Sequence, residues 1–123
     1  MTPPSNITLS KDKRLLTVSF RDNDYVLTSE FLRVYSPSAE VRGHGPGQET
    51  LQLNKQDVSI SSLVPMGNYA IAIHFSDGHN TGIYSWSYLL HLGNEKDALW
   101  LDYCNRVKEN SKDNNNNYRK VTI

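Results

Sequence analysis

The stretch YAIAIHFSDGHNTGIYSW, residues 69–86, decides the fold of this chain. Its first half alternates in side-chain size, which is typical of a β-strand with two different faces. The larger residues from Tyr69 to Phe75 share one face, and Ala70, Ala72 and His74 share the other. Because the second face is small, we expect another element, a helix, to pack close to it. An Asp-Gly turn then ends the strand, with His79 directly behind it.

The segments around this strand predict an α+β domain. Residues 7–9 and 16–20 alternate apolar and polar side chains and predict a hairpin, and residues 58–64 predict a further strand. Helices are predicted over 29–34, over 86–92 and over 95–107, with N-caps at Thr28 or Ser29, Ser85 and Asn94. Gly93 is expected to end the second helix. We therefore predict a mainly antiparallel sheet of about four or five strands with short helices packed on one side.

Length and composition favour one domain in the cytoplasm. We place the domain at residues 1–108; residues 109–123 are polar, Asn-rich and without periodicity, which predicts a disordered tail. Thirteen basic residues balance thirteen acidic ones, so the charge does not predict binding to nucleic acid or to an anionic membrane. Apolar runs are far shorter than the ~20 residues of a membrane span, and the N-terminus lacks the apolar segment of a signal peptide. The single cysteine, Cys104, fits a reducing compartment.

The motifs of common enzyme classes do not occur. RGHGPGQ, residues 42–48, lacks the Lys and Ser/Thr of a Walker loop and the following helix of a dinucleotide fingerprint. Cys104 is expected to be a small core residue, since a reactive thiolate needs a nearby positive charge and solvent. No serine lies in a GxSxG motif. An enzyme acting through the histidines is the weakest hypothesis, because the sequence cannot place a nucleophile, a base and an orienting group together. We therefore predict that the chain is not an enzyme.

Two histidines lie in glycine-bearing loops beside carboxylates. Their imidazoles and carboxylates could together hold zinc or iron(II), using Glu40, His44, Asp77 and His79. The spacing is not diagnostic, since no HxH, HxxxH or CxxC pattern is present. His79 is therefore a metal ligand, a catalytic base or a polar residue that completes the Asp-Gly turn.

Two segments carry a resemblance to a known family. LRVYSPSAEVRGHGPGQ (32–48) and VPMGNYAIAIHFSDGHNTGIYSWSYLLHLG (64–93), with the spacing between them, resemble small bacterial DUF971 proteins and the N-terminal domain of gamma-butyrobetaine and trimethyllysine hydroxylases. The similarity covers roughly residues 8–93. In the hydroxylases this domain looks like a zinc-binding accessory module in front of a separate catalytic domain. The resemblance implies an accessory role without the oxidation, because 123 residues have no room for the catalytic domain.

The resemblance also indicates where the family's zinc ligands would lie. The family's histidine falls on His79, and its three cysteines fall on Ser36, Ser38 and Val41. Serine hydroxyls are poor zinc ligands and valine is none, so the family's structural zinc site is not expected here. We expect no cofactor, with a zinc or iron site rebuilt from the loop histidines and carboxylates as the alternative.

The expected function is that of an accessory or protein-interaction module with an unidentified protein partner. Its binding patch is predicted from residue types that interfaces favour, and comprises Arg42, His44, Asp77, His79, Tyr84 and Trp86. Similar domains also resemble segments joined to Mrp-type ATPases that carry iron–sulfur clusters, which by analogy implies a link to iron–sulfur protein assembly. One cysteine cannot itself anchor a cluster. A metal-binding protein is the alternative function.

Overall fold

The computed structural model describes residues 3–43, 45 and 47–122, with side chains described as far as residue 111. Within them, two three-stranded antiparallel sheets are formed by β1 (Asn6–Leu9), β2 (Leu15–Ser19) and β3 (Asp24–Thr28), and by β4 (Ile60–Met66), β5 (Ala70–Phe75) and β6 (Gly82–Ser85). The helices are α1 (Ser29–Val34), α2 (Ala39–Arg42), α3 (Trp86–Asn94) and α4 (Lys96–Thr122). The α+β class is confirmed, although the strands form two sheets and not one.

The first sheet contains the predicted hairpin and a strand that the sequence did not reveal. In the hairpin, Ile7 pairs with Val18. The additional strand, β3, pairs with β2 along its whole length, with Leu16 opposite Leu27. Its polar start resembled a loop, because the partner that makes it a strand is supplied only by the fold. The buried side chains of Leu16, Val18 and Leu27 form part of the hydrophobic core.

The second sheet directs its larger side chains into that core. Ile71 of β5 pairs with Tyr84 of β6, and both are buried. On the opposite face Ala72 lies between Val64 and Ile83, which are 39% and 46% exposed. The expected helix on this face is therefore wrong: the branched neighbours of Ala72 on the adjacent strands cover it, and they themselves face outward.

Local capping signals predicted the starts of α1 and α3 correctly, but the predicted N-cap of the last helix, Asn94, is the last residue of α3, and α4 begins at Lys96. The Thr28 side chain accepts a hydrogen bond from Phe31 N at 3.0 Å, and the Ser85 side chain accepts one from Tyr88 N at 3.1 Å. Gly93, expected to end α3, lies inside it. A Cβ atom at this glycine would come within 2.5 Å of the Tyr25 ring, so Gly93 allows a close approach to the first sheet and does not terminate the helix. The short helix α2 lies within residues 36–48, for which the three glycines predict a loop.

The last helix differs from its predicted extent. α4 continues from Lys96 to Thr122 and thus through most of the segment for which the sequence predicted a disordered tail. No glycine or proline follows Gly93, and a helix already docked through its first turns propagates at little cost per residue. Residue 123 lies outside the described residues, and the domain boundary at residue 108 stays a prediction. None of the helices in the described part of the chain is long and apolar enough to cross a membrane.

Candidate functional site

The turn after β5 fixes the backbone of His79. Phe75 N donates to His79 O at 2.9 Å, which closes the turn, and Gly78 adopts a positive φ of 89°. The Asp77 carboxylate accepts a hydrogen bond from His79 N at 3.1 Å, as expected for an aspartate that stabilises its own turn. The Asp-Gly-His sequence therefore fixes the backbone position from which the His79 side chain extends.

The Asp77 carboxylate forms ion pairs with two basic side chains of the same chain. Its Oδ2 lies 2.9 Å from Arg33 Nε and 3.2 Å from Lys55 Nζ. Desolvation alone would raise the pKa of the Asp77 carboxyl, but the hydrogen bonds from Arg33, from His79 N and from Lys55 outweigh it and lower the pKa. Asp77, which the sequence predicted as a metal ligand, thus has a carboxylate that is ion-paired with Arg33 and Lys55.

The His79 ring lies in a buried cluster with Ser36 and Ser38, two of the positions that the family resemblance assigns to zinc ligands. Its Nε2 lies 2.8 Å from Ser36 Oγ and 3.3 Å from Ser38 Oγ, and the other ring nitrogen lies 3.4 Å from a carboxylate oxygen of Glu40. Thr81 in turn donates to Glu40 at 3.2 Å. Burial, followed by the positive charge of Arg33, lowers the pKa of the imidazole. The carboxylates of Glu40 and Asp77 raise this pKa, but their effect is smaller. A neutral ring with its proton on Nδ1 would face Glu40 and leave Nε2 to accept from Ser36.

This cluster has the order of a Ser-His-acid triad, which the sequence alone could not place. Ser36 is only 1% exposed, and the Cα of Gly82 packs so closely that an added Cβ would lie 2.7 Å from Ser36 Oγ. A nucleophilic serine must reach a substrate carbonyl. The Ser36 hydroxyl is enclosed by the protein, so the arrangement serves as a buried hydrogen-bond network.

Three of the four residues of the predicted rebuilt metal site, Glu40, Asp77 and His79, are described, and these three do not form a group of metal ligands. Glu40 reaches His79, whereas Asp77 pairs with Arg33 and Lys55. His44 lies outside the described residues. Across the part of the chain that the structure describes, no three His, Cys, Asp or Glu side chains are grouped as metal ligands would be.

The predicted partner patch is not one exposed surface. Tyr84 is fully buried and donates to Leu32 O at 2.5 Å, because the alternation of β6 directs it into the core and directs Ile83 outward. Half-buried Trp86 packs against the core, and its Nε1 donates to Asn68 O at 2.7 Å. His79 is buried as well, which leaves Arg42 as the member with an exposed side chain free of an ion pair among the described residues.

A groove that the sequence did not predict lies on the other side of Ser36. It has a volume of about 570 Å³ and is bordered by the end of α1, by α2, by residues 49–52, by α3 and by α4. Arg42 lies over the Tyr88 ring, with its Cζ 4.9 Å from the ring centroid, and Arg106 lies over Tyr35 at 6.0 Å. No sequence pattern could have indicated this groove, since its walls are distant in the chain.

Comparison with known proteins supports the resemblance. The family model described as gamma-butyrobetaine hydroxylase-like, N-terminal, matches residues 7–90. No curated protein matches the chain.

Similar solved structures cover most of the chain. Two structures determined by solution NMR are 42% and 39% identical to it, with TM-scores of 0.79 and 0.76. Each covers 90% of this chain, which in turn covers 88% and 83% of the two proteins. A crystal structure from Acidithiobacillus ferrooxidans ATCC 23270, of a DUF971 family protein of unknown function, is 38% identical over 73% of this chain and 91% of that one, with a TM-score of 0.61.

Proposed function

Since this chain belongs to the gamma-butyrobetaine hydroxylase-like N-terminal family, we propose that it is a non-enzymatic protein-interaction domain that binds its partner through the groove between α1, α3 and α4. In the hydroxylases that the sequence resembles, the corresponding domain looks like an accessory module, which is consistent with a binding role. The buried cluster around His79 would hold the walls of the groove in place.

A contrast between two polar sites carries this proposal. The polar groups of the His79 cluster are enclosed and pair with one another, with Ser36 and Ser38 against Nε2. In the groove, by contrast, the exposed guanidinium of Arg42 stacks on Tyr88 and makes no ion pair among the described residues. Arginine and tyrosine beside an apolar depression are the composition of binding hot spots. We therefore place the binding site of this proposal at the groove.

The resemblance to segments joined to Mrp-type ATPases supplies the first class of partner to test, the proteins of iron–sulfur cluster assembly. In this proposal the domain contributes a docking surface and no cluster ligand, because Cys104 is the only cysteine of the chain.

Site-specific photo-cross-linking in an extract of the source cells tests the proposal. A photoreactive amino acid would replace exposed Glu49, which lines the groove, or Lys11, which is exposed in the β1–β2 turn and does not. We expect a discrete protein adduct from position 49 that is lost when Arg42→Glu is added, and no such adduct from position 11. Identical adducts from both positions, or none from position 49, would refute the use of this groove.

A further inference from the structure

We infer that the groove recognises a short acidic segment of a partner protein, in which a carboxylate side chain lies next to an apolar one. This inference rests on the proposed function and specifies its ligand. The charge of the rim, the apolar floor and a stretch of main chain with unpaired N–H groups support it independently of one another.

The first support is the arrangement of charge at the rim. Arg106 is partly neutralised, since Asp102 Oδ2 lies 3.1 Å from its Nε. Arg42 makes no ion pair among the described residues, and the Tyr88 ring holds its guanidinium in place. A guanidinium that is already positioned loses little conformational freedom when it binds a carboxylate through two hydrogen bonds. Among the described residues of the rim, Arg42 is therefore the available cation, and a carboxylate is its complement.

The second support is the apolar floor of the groove, where the tyrosine hydroxyl groups already donate their hydrogens within the protein. Three tyrosine hydroxyls donate to main-chain carbonyls: Tyr35 to Leu99 O at 2.6 Å, Tyr88 to Tyr35 O at 2.5 Å, and Tyr103 to Gln52 O at 2.6 Å. The aliphatic lining consists of Val34, Val41, Leu51, Leu92 and Leu99. Such a floor accepts an aliphatic or aromatic side chain of a ligand.

The third support distinguishes a peptide from a small anion. Residues 48–53 have no regular secondary structure, and Thr50 N donates to Val41 O at 2.8 Å, which ties the segment to α2. In the described part of the chain, the N–H groups of Leu51 and Gln52, which line the groove, donate to no main-chain carbonyl. Unpaired main chain along a groove can be completed by the main chain of a bound peptide. A small anion would leave these groups unused.

Substitution of Glu49 gives a second test of how charge at the groove affects binding. It is the only carboxylate among the described residues that line the groove, and it is exposed. An acidic peptide would be repelled by it and attracted by Arg42. Removing Glu49 should therefore strengthen binding, and reversing the charge of Arg42 should weaken it, so that two exposed substitutions give opposite effects.

An NMR titration of the isotope-labelled full chain tests the inference. The probe is a capped peptide, Asp-Glu-Leu-Phe-Asp-Glu; the comparison peptides replace its acids by lysine, or Leu-Phe by Gly-Gly, and sodium phosphate serves as the small anion. We expect saturable shifts at Tyr35, Gln52, Tyr88 and Arg106 with the acidic apolar peptide alone. We expect binding about tenfold weaker in Arg42→Glu, about threefold tighter in Glu49→Gln and unchanged in Lys11→Glu.

Several results would overturn this ligand assignment. They are equal binding of the lysine or Gly-Gly peptide, the same shifts with phosphate alone, equal affinity in Arg42→Glu, and no saturable shift with the acidic peptide. If photo-cross-linking at position 49 still yields a specific adduct, the interaction domain stands and only the acidic ligand is refuted. If both experiments fail, the proposed function fails with it.

Discussion

The hydroxyl oxygen of Ser36 and the Nε2 of His79 lie 2.8 Å apart in the interior of the protein. They join the chain just after α1 to the turn after β5. The family resemblance assigns both positions to zinc ligands of the hydroxylase domain, and in this chain a hydrogen bond connects the two segments. A buried pair of this kind stabilises a loop arrangement without a metal, provided that both partners are present.

Replacing His79 by alanine should lower the free energy of unfolding by about 2–4 kcal/mol, because the change opens a cavity and leaves the buried hydroxyls of Ser36 and Ser38 without their partner. Urea denaturation followed by circular dichroism measures this loss. His91→Ala is the matched control: this histidine is exposed on α3, and its removal should change the free energy by less than about 0.5 kcal/mol. Equal effects of the two substitutions would show that the His79 cluster contributes nothing specific.

The stability of the protein should fall on mild acidification. Burial, followed by the charge of Arg33, lowers the pKa of His79 below its ordinary value of 6.5. The unfolded chain therefore binds this proton at a higher pH than the folded chain does. Consequently the free energy of unfolding decreases as the pH drops below 6.5 and levels off below the folded-state pKa.

Denaturation curves between about pH 5 and pH 8 measure this slope. His79→Gln should reduce it, whatever its effect on stability at neutral pH. A further loss is expected below the ordinary value of 3.8 for Asp77, whose lowered pKa favours the folded state only while the carboxylate is ionised. An unchanged slope in His79→Gln would contradict the assignment of the first step to this histidine.

Restoring the family's cysteines should create a zinc site. The triple variant Ser36→Cys, Ser38→Cys and Val41→Cys would combine three thiolates with His79, and we expect it to retain about one zinc ion per chain. Metal analysis of the purified protein and the visible spectrum of the cobalt form measure the uptake. Adding His79→Ala should weaken zinc retention. If the triple variant takes up no more zinc than the unmodified chain, the correspondence of these positions with the family's ligands is wrong.

Replacing Gly93 by alanine should destabilise the protein, although alanine favours helices by about 1 kcal/mol over glycine. The added Cβ would lie 2.5 Å from the Tyr25 ring, and we expect a net loss of about 1–3 kcal/mol in chemical denaturation. A double-mutant cycle provides the control: with Tyr25→Ala present, Gly93→Ala should cost little or become stabilising. The same cost in both backgrounds would exclude the steric explanation.

Local sequence signals predicted the caps of α1 and α3 but not the partners of the acidic side chains around His79. The caps at Thr28 and Ser85 were predictable, because each side chain bonds a main-chain N–H only three residues away. The family resemblance placed Ser36 and Ser38 at the positions where they meet His79. The neighbours of Glu40 and Asp77 were not predictable, because Thr81, Arg33 and Lys55 reach them from other parts of the chain.

By itself, the sequence determined the α+β class, the hairpin, the Asp-Gly turn and the family, since these depend on periodicity, on short-range hydrogen bonding and on motif spacing. Only the tertiary structure decided that Tyr84 is buried, that Asp77 is paired and that Arg42 borders a groove. The physical reason is that exposure and charge pairing depend on segments far apart in the chain. Their packing is set by the whole core, and no single segment encodes it.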